Sequence, residues 1–266
     1  MRCKLLKKRL IFTLLYRDGK FCLSRNFRLQ NIGDVFWLLD SYNFRNLAGI
    51  IDELVILDLS RESRDKKIFL RDMSLVLEDF FIPVSIGGNI RDIDAADELF
   101  SSGADKIVLN TLFHVDDKAC IRIAEKFGSQ AIVASIDFTH IYSTPLGCWN
   151  YETRYSGGLK PGANLSPHLN VVQQAGCGEI LLRSIDRDGT SNGLDINSLN
   201  ELPEVTSVPV ILSGGIGKAS HISEGLSESR VDAIATANLL NFVGSGFHNA
   251  KAVLIENGIN VTRSLD

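Results

Sequence analysis

The sequence has no run approaching the roughly 18 consecutive apolar residues that a membrane-spanning helix needs, so neither a span nor a membrane partner is expected. It also lacks a basic patch. Its 28 lysines and arginines are scattered and outnumbered by 32 acidic residues, for a net charge of −4. That excludes the clustered cationic face required for binding a phosphate backbone, and nucleic acid is not an expected partner. The cysteines Cys3, Cys22, Cys120, Cys148 and Cys177 contain no Cys-x-x-Cys pair. Their odd number argues against a disulfide framework and fits packed thiols in a reducing cytoplasm; no metal and no cofactor is expected. There is no low-complexity stretch and no linker, and 45% of the residues are hydrophobic. Disorder is therefore not expected, and residues 1–266 read as one domain. The opening segment MRCKLLKKRLIFTLLY has basic residues before an apolar run, as a secretory signal does. The run at 10–16 is short, Arg17-Asp18 closes it, and no small-residue cleavage site follows, so it reads as a strand.

What the chain does have is alternation. Runs rich in β-branched residues at 10–15, 54–59, 84–86, 106–110, 132–137, 180–185, 210–212 and 233–236 read as strands. Helical patterns fall between them, at 93–101, 118–127, 169–175 and 219–226. The strand runs are almost wholly apolar, which requires burial on both faces, as in a parallel sheet covered by helices. The fold class is α/β, and alternation repeated eight times predicts a (β/α)8 TIM barrel, with a doubly wound open sheet as the competing arrangement. Internal repetition favours the barrel. Ile82-Pro-Val-Ser-Ile-Gly87-Gly88 is echoed by Val208-Pro-Val-Ile-Leu-Ser-Gly214-Gly215, and Ala104-Asp105 by Val231-Asp232. Gly87 and Gly214, like Asp105 and Asp232, stand 127 residues apart, which predicts two similar half-barrels. One long Gly/Pro-containing insertion, at 139–166, follows the fifth strand.

Barrel active sites lie at the carboxyl ends of the strands. The Gly-Gly pairs Gly87-Gly88 and Gly214-Gly215 end the third and seventh strands. Small polar residues end the following ones: Asn110 and Thr111 in one half, Ala237 and Asn238 in the other. Such glycines either make tight turns or let backbone N–H groups approach an anion. Their duplication favours two facing phosphate sites, with Ser213 beside the second, and hence a phosphorylated small-molecule ligand. Asp137 closes an otherwise apolar strand at the pocket rim, where a partly desolvated carboxylate can act as general acid or base. The alternative is an aspartate bonded to loop amides. Asp58 reads as support for the site. In the loop after the sixth strand, Asp188 and Gly189 are candidate ligand contacts, whereas Asp186-Arg187 reads as a local ion pair.

Three segments carry a family resemblance: Leu181-Leu-Arg-Ser-Ile-Asp-Arg-Asp-Gly-Thr190, Gly103-Ala-Asp-Lys-Ile-Val-Leu-Asn-Thr111 and Val210-Ile-Leu-Ser-Gly-Gly215. They resemble the HisF family, the cyclase subunit of imidazole glycerol phosphate synthase, and the likeness runs from Arg9 to Val261. The resemblance implies a HisH-like glutaminase subunit docked at the amino-terminal face of the barrel. It further implies ammonia passing through the barrel to a bisphosphorylated ribotide at the opposite mouth, and cyclisation by aspartates ending strands one and five. Asp137 matches the second aspartate. The first is missing, because Leu15 stands in its place, Leu23 stands where a lysine is usual, Asn89 replaces a third glycine, and Arg183 replaces a small hydroxyl residue. Leucine cannot exchange a proton.

Arg9, Glu53, Lys106 and Glu179 stand at or just before strands one, two, four and six, two cations and two anions at similar height. Without the resemblance they read as solvated loop charges; with it they match the ammonia gate. Asp105 and Asp232, beside the fourth and eighth strand starts, are read as part of a docking surface. Intact conduit residues and an altered reaction centre imply a divergent paralogue of the kind found with surface-polysaccharide enzymes. Its ammonia would then serve amidation of a cell-surface sugar, with a sugar amidotransferase as a further partner. The alternatives are an authentic cyclase of histidine biosynthesis and a non-catalytic, phosphate-ligand-binding activator of a glutaminase.

Overall fold

The computed structural model describes residues 7–41, 47, 49–61, 65–78, 81–143, 148–237 and 246–262. In chain order the strands are β1 (Arg9–Arg17), β2 (Lys20–Arg25), β3 (Arg28–Gly33), β4 (Glu53–Asp58), β5 (Val84–Gly87) and β6 (Lys106–Leu109). They continue with β7 (Ile132–Ser143), β8 (Cys148–Tyr155), β9 (Lys160–Asn164), β10 (Glu179–Ser184), β11 (Val210–Ser213) and β12 (Ala233–Thr236). Eight of them pair in parallel in the order β1, β4, β5, β6, β7, β10, β11, β12, and β12 pairs back onto β1. That closing pair makes the sheet a (β/α)8 barrel and removes the open-sheet alternative.

Strand periodicity then sorts the apolar residues. Ile11, Leu15, Val55, Leu57, Val108, Val133, Leu181, Ile211, Ala233 and Ala235 form one buried cluster, filling the barrel. Their chain neighbours, including Leu10, Phe12, Leu54, Ile56, Ile107, Ile136, Ile180 and Leu182, form a second buried cluster against the helices. This is why the strands read as continuous apolar runs. The helices start near the mouth, and carboxylates hold three of those starts. Asp65 accepts from Lys67 N and Ile68 N, Asp92 from Ala95 N, and Asp116 from Ala119 N.

The half-barrel repeat holds, with a shift of register. Gly88 and Asn89 have φ of +98° and +60°, and Gly214 and Gly215 have +100° and +91°. Gly214 therefore corresponds to Gly88 rather than Gly87, and Gly215 to Asn89. The described part of the insertion, 139–143 and 148–166, forms strands: β7 runs on to Ser143 and β8 and β9 fold back antiparallel beside it. Asp105 is exposed and Asp232 half-buried, and each also has a part in the barrel itself. The Asp105 carboxylate accepts Val84 N and that of Asp232 accepts Val210 N, each at 2.8 Å, tying neighbouring strand starts in both halves.

Candidate active site

A cavity of about 1030 Å³ opens at the carboxyl ends of the strands. Its wall runs from the β2–β3 hairpin (Ser24, Phe27) past Asp58, Gly88-Asn89, Asn110-Thr111 and Asp137 to Arg183. Of the sequence-predicted site residues it gathers Gly88, Asn110, Thr111 and Asp137. Gly88 is glycine because a Cβ there would stand 1.9 Å from the carbonyl oxygen of Asp58. Asn110 Oδ1 is buried without a hydrogen-bond partner, and Thr111 Oγ1 accepts from Ser156 N at 3.2 Å.

The other predicted contacts lie off this wall. Gly87 serves packing, since a Cβ there would meet Val108 at 2.5 Å. Asp188 Oδ2 accepts from Ser24 Oγ at 2.5 Å and Phe27 N at 3.0 Å, so its carboxylate fixes the hairpin turn, and a Cβ at Gly189 would stand 2.3 Å from the carbonyl oxygen of Ser24. Ser213, Gly214, Gly215 and Ala237 belong to the neighbouring strand ends, and the loop before them covers Gly215, whose carbonyl accepts Gly193 N at 2.8 Å. Asn238 lies outside the described residues. Asp186 is bonded to Thr139 Oγ1 and His140 N, and Arg187 donates to Asn192 O, so the expected ion pair between them is replaced by separate loop ties.

Asp137 is 4% exposed, and its Oδ1 accepts no hydrogen bond. Burial pushes its carboxyl up to about 6, against the pull of the Arg183 cation and with a smaller push from Asp188. Arg183 is its partner in the parallel β7–β10 register, and the guanidinium Nη1 lies 3.4 Å from Asp137 Oδ1. The same guanidinium stacks 4.8 Å above the Phe27 ring. Phe27 escaped the sequence reading; the alternating segment 20–33 around the Asn26-Phe27 turn was the available signal. Leu15 is 2% exposed, packed inside the barrel and paired with Leu57 and Cys22. Among the described residues, the other carboxylates on the cavity wall are Asp18, Asp58 and Asp116. Asp58 accepts from Ser60 N and Asp116 caps a helix, while the Asn89 side chain donates to Ser60 O and Asp58 O.

At the opposite end, all four predicted gate residues meet. Arg9 bonds to Glu53 and, at 3.0 Å, to Glu179; Lys106 Nζ lies 3.2 Å from Glu53 and 2.9 Å from Glu179. Cations and anions alternate around the ring, so each charge has two partners. Burial opposes the charge on Arg9, but Glu53 and Glu179 outweigh it and raise its pKa. Glu179 Oε2 is buried with no partner.

A family model described as "Histidine biosynthesis protein" matches residues 28–244. The protein of Parasynechococcus marenigrum (strain WH8102) named "Putative imidazole glycerol phosphate synthase subunit hisF2" is 45% identical over 245 residues, covering 90% of this chain and 87% of that one. The chain belongs to the HisF family. Imidazole glycerol phosphate synthase subunit HisF of Prosthecochloris aestuarii is 36% identical over 258 residues, 97% of this chain and 99% of its own. That of Chlorobium luteolum is 35% identical over the same span. The HisF likeness thus spans nearly the whole chain, both ends of the barrel included. Among the described residues no helix is long and apolar enough to cross a membrane.

Proposed function

We propose that this HisF-family protein is the synthase subunit of a glutamine amidotransferase complex, receiving ammonia from a HisH-like glutaminase subunit at the amino-terminal face and delivering it to the mouth. Its ammonia serves amidation of a cell-surface sugar, in company with a sugar amidotransferase, rather than ring closure. One contrast carries this reading: the floor has a complete alternating ring of Arg9, Glu53, Lys106 and Glu179, whereas at the mouth Asp137 is paired with Arg183 and a buried leucine, Leu15, stands where the resemblance puts the second acid. A ring whose charges compensate one another can sit at a pore and pass a small polar molecule. Above it Ser135, whose buried hydroxyl has no partner, reaches the mouth cavity and supports a path between the two ends.

A second reading, the histidine-pathway cyclase, is favoured by the elevated carboxyl of Asp137, which suits a general acid. The purified protein supplied with ammonium salt and the bisphosphorylated aminoimidazole ribotide separates the two. Little or no imidazole glycerol phosphate is expected, and turnover near that of an ordinary cyclase would restore the second reading. A non-catalytic activator is tested by Lys106→Ala in the glutaminase complex. Loss of glutamine-derived nitrogen transfer with glutaminase still stimulated supports the conduit; unchanged transfer removes it.

A further inference from the structure

Arg183 is a cation in a place where most of its hydrogen-bonding capacity is unspent. Its side chain is 12% exposed, yet none of its five N–H donors makes a hydrogen bond among the described residues. The nearest carboxylate, Asp137, is at ion-pair distance only, 3.4 Å. The other cavity arginines differ: Arg17 donates to Asn31 Oδ1 at 2.7 Å, Arg61 donates to Ser156 O at 3.5 Å, and Arg91 is exposed. Arg183 is also held in place. Phe27, at a φ of +61° that a bulky side chain seldom adopts, is fixed there by its N–H to Asp188, and its ring supports the guanidinium plane. The segment 181–190, the end of β10 and the loop after it, thus supplies the arginine and also fixes the aromatic platform under it.

A weakly hydrated, planar fork of donors facing a cavity is suited to an oxyanion. The cavity wall stops at Arg183, with Ser213 paired to Arg183 on the far side. We propose that Arg183 is the specificity-determining residue of this mouth, binding a phosphate or carboxylate carried by the ligand and exchanging its contact with Asp137 for that anion. Because the exchange leaves Asp137 buried without its cation, binding is coupled to proton uptake by Asp137. The inference rests on the mouth being the ligand site, as in the proposed function, but not on which reaction occurs there.

Titration calorimetry of the full chain with inorganic phosphate and with malonate, in buffers of different ionisation enthalpy near pH 7, tests it. Saturable binding of at least one anion with proton uptake is expected. Arg183→Thr should weaken it by roughly tenfold to a hundredfold, the weight of charge-assisted hydrogen bonds, with Arg183→Lys in between. Asp137→Asn removes the competing carboxylate, so it should bind the anion more tightly and without proton uptake. A merely structural ion pair predicts no such gain, and the Lys and Asn variants keep the test alive if Arg183→Thr does not fold. Equal affinity in wild type and Arg183→Thr, weaker binding in Asp137→Asn, or no binding of either anion would overturn the proposal. A positive or negative cyclase assay leaves these outcomes untouched, so the two readings fail separately.

Discussion

His114 and His168 stack face to face, their ring centroids 3.9 Å apart and their planes 11° from parallel. Burial pushes His114 down to about 3, with the charge of His168 adding to the effect, and burial alone pushes His168 down to about 4. Both rings are neutral in the fold and would be protonated in an unfolded chain below about pH 6.5. The unfolded state then binds more protons, so stability is lost as pH falls from about 6.5 towards 4. Asp137 acts in the opposite sense, because its raised carboxyl takes up a proton in the fold near 6, and one group offsets only part of two. Denaturant unfolding at pH 7 and pH 5 should differ by about 2 kcal/mol per ring before that offset. His114→Gln/His168→Gln should flatten the slope; a double variant as acid-sensitive as wild type would refute the assignment.

Gly88 tests the mouth's backbone. Its φ is +98°, and an added methyl would collide with a backbone oxygen, that of Asp58, at 1.9 Å. Gly103 has φ +103° but its nearest neighbour would be a leucine methyl 4.0 Å away. Gly103→Ala should therefore cost about 1 kcal/mol, from backbone strain alone, and Gly88→Ala roughly 3 kcal/mol or more. Comparable losses in urea unfolding would show that the close approach at Gly88 has no weight.

These contrasts mark what a sequence can disclose. The eight barrel strands were legible because each is apolar on both faces; the four floor charges were legible only through the family resemblance, since a charge at a strand start otherwise reads as a solvated loop residue. The duplicated turns were visible too, but their register was not. Matching glycine to glycine aligns Gly87 with Gly214, whereas the left-handed backbone aligns Gly88 with Gly214 and puts Asn89 opposite Gly215. Asn tolerates that conformation, so residue identity alone misleads by one position. The strands β8 and β9 were hidden inside a Gly/Pro-containing insertion with mixed polarity. Asp188 looked like a ligand contact because nothing local reveals that the Ser24–Phe27 turn, far away in sequence, takes its carboxylate.

The floor ring predicts unequal costs for similar-looking changes. Glu179 shares its charge with Arg9 and Lys106, and these side chains are 11%, 20% and 17% exposed. Glu98, paired with Lys66, is half exposed. Glu179→Gln leaves two half-buried cations competing for Glu53 and should destabilise by about 2 kcal/mol, whereas Glu98→Gln should change stability by less than about 0.5 kcal/mol. In the glutaminase complex, only the Glu179 variant should lower nitrogen transfer. Equal stability effects in thermal or urea unfolding would mean that the ring is solvated and its charges are not coupled.

Placing an acid at Leu15 is the sharpest test of the proposed change at the mouth. Leu15 sits in the buried apolar cluster with Ile11, Cys22, Val55 and Leu57. Leu15→Asp should therefore destabilise the fold by roughly 2–4 kcal/mol at neutral pH and hold the new carboxyl largely protonated. It should not by itself produce cyclisation, because Arg183 still pairs with the opposing Asp137 and occupies the mouth. Leu15→Asp/Arg183→Thr removes that pairing and returns a small hydroxyl beside Asp137, so ammonium-dependent formation of imidazole glycerol phosphate should rise above the level of either single variant. If Leu15→Asp alone gave as much product as the double variant, Leu15 would be the whole of the departure from the cyclase and Arg183 would have no part in it.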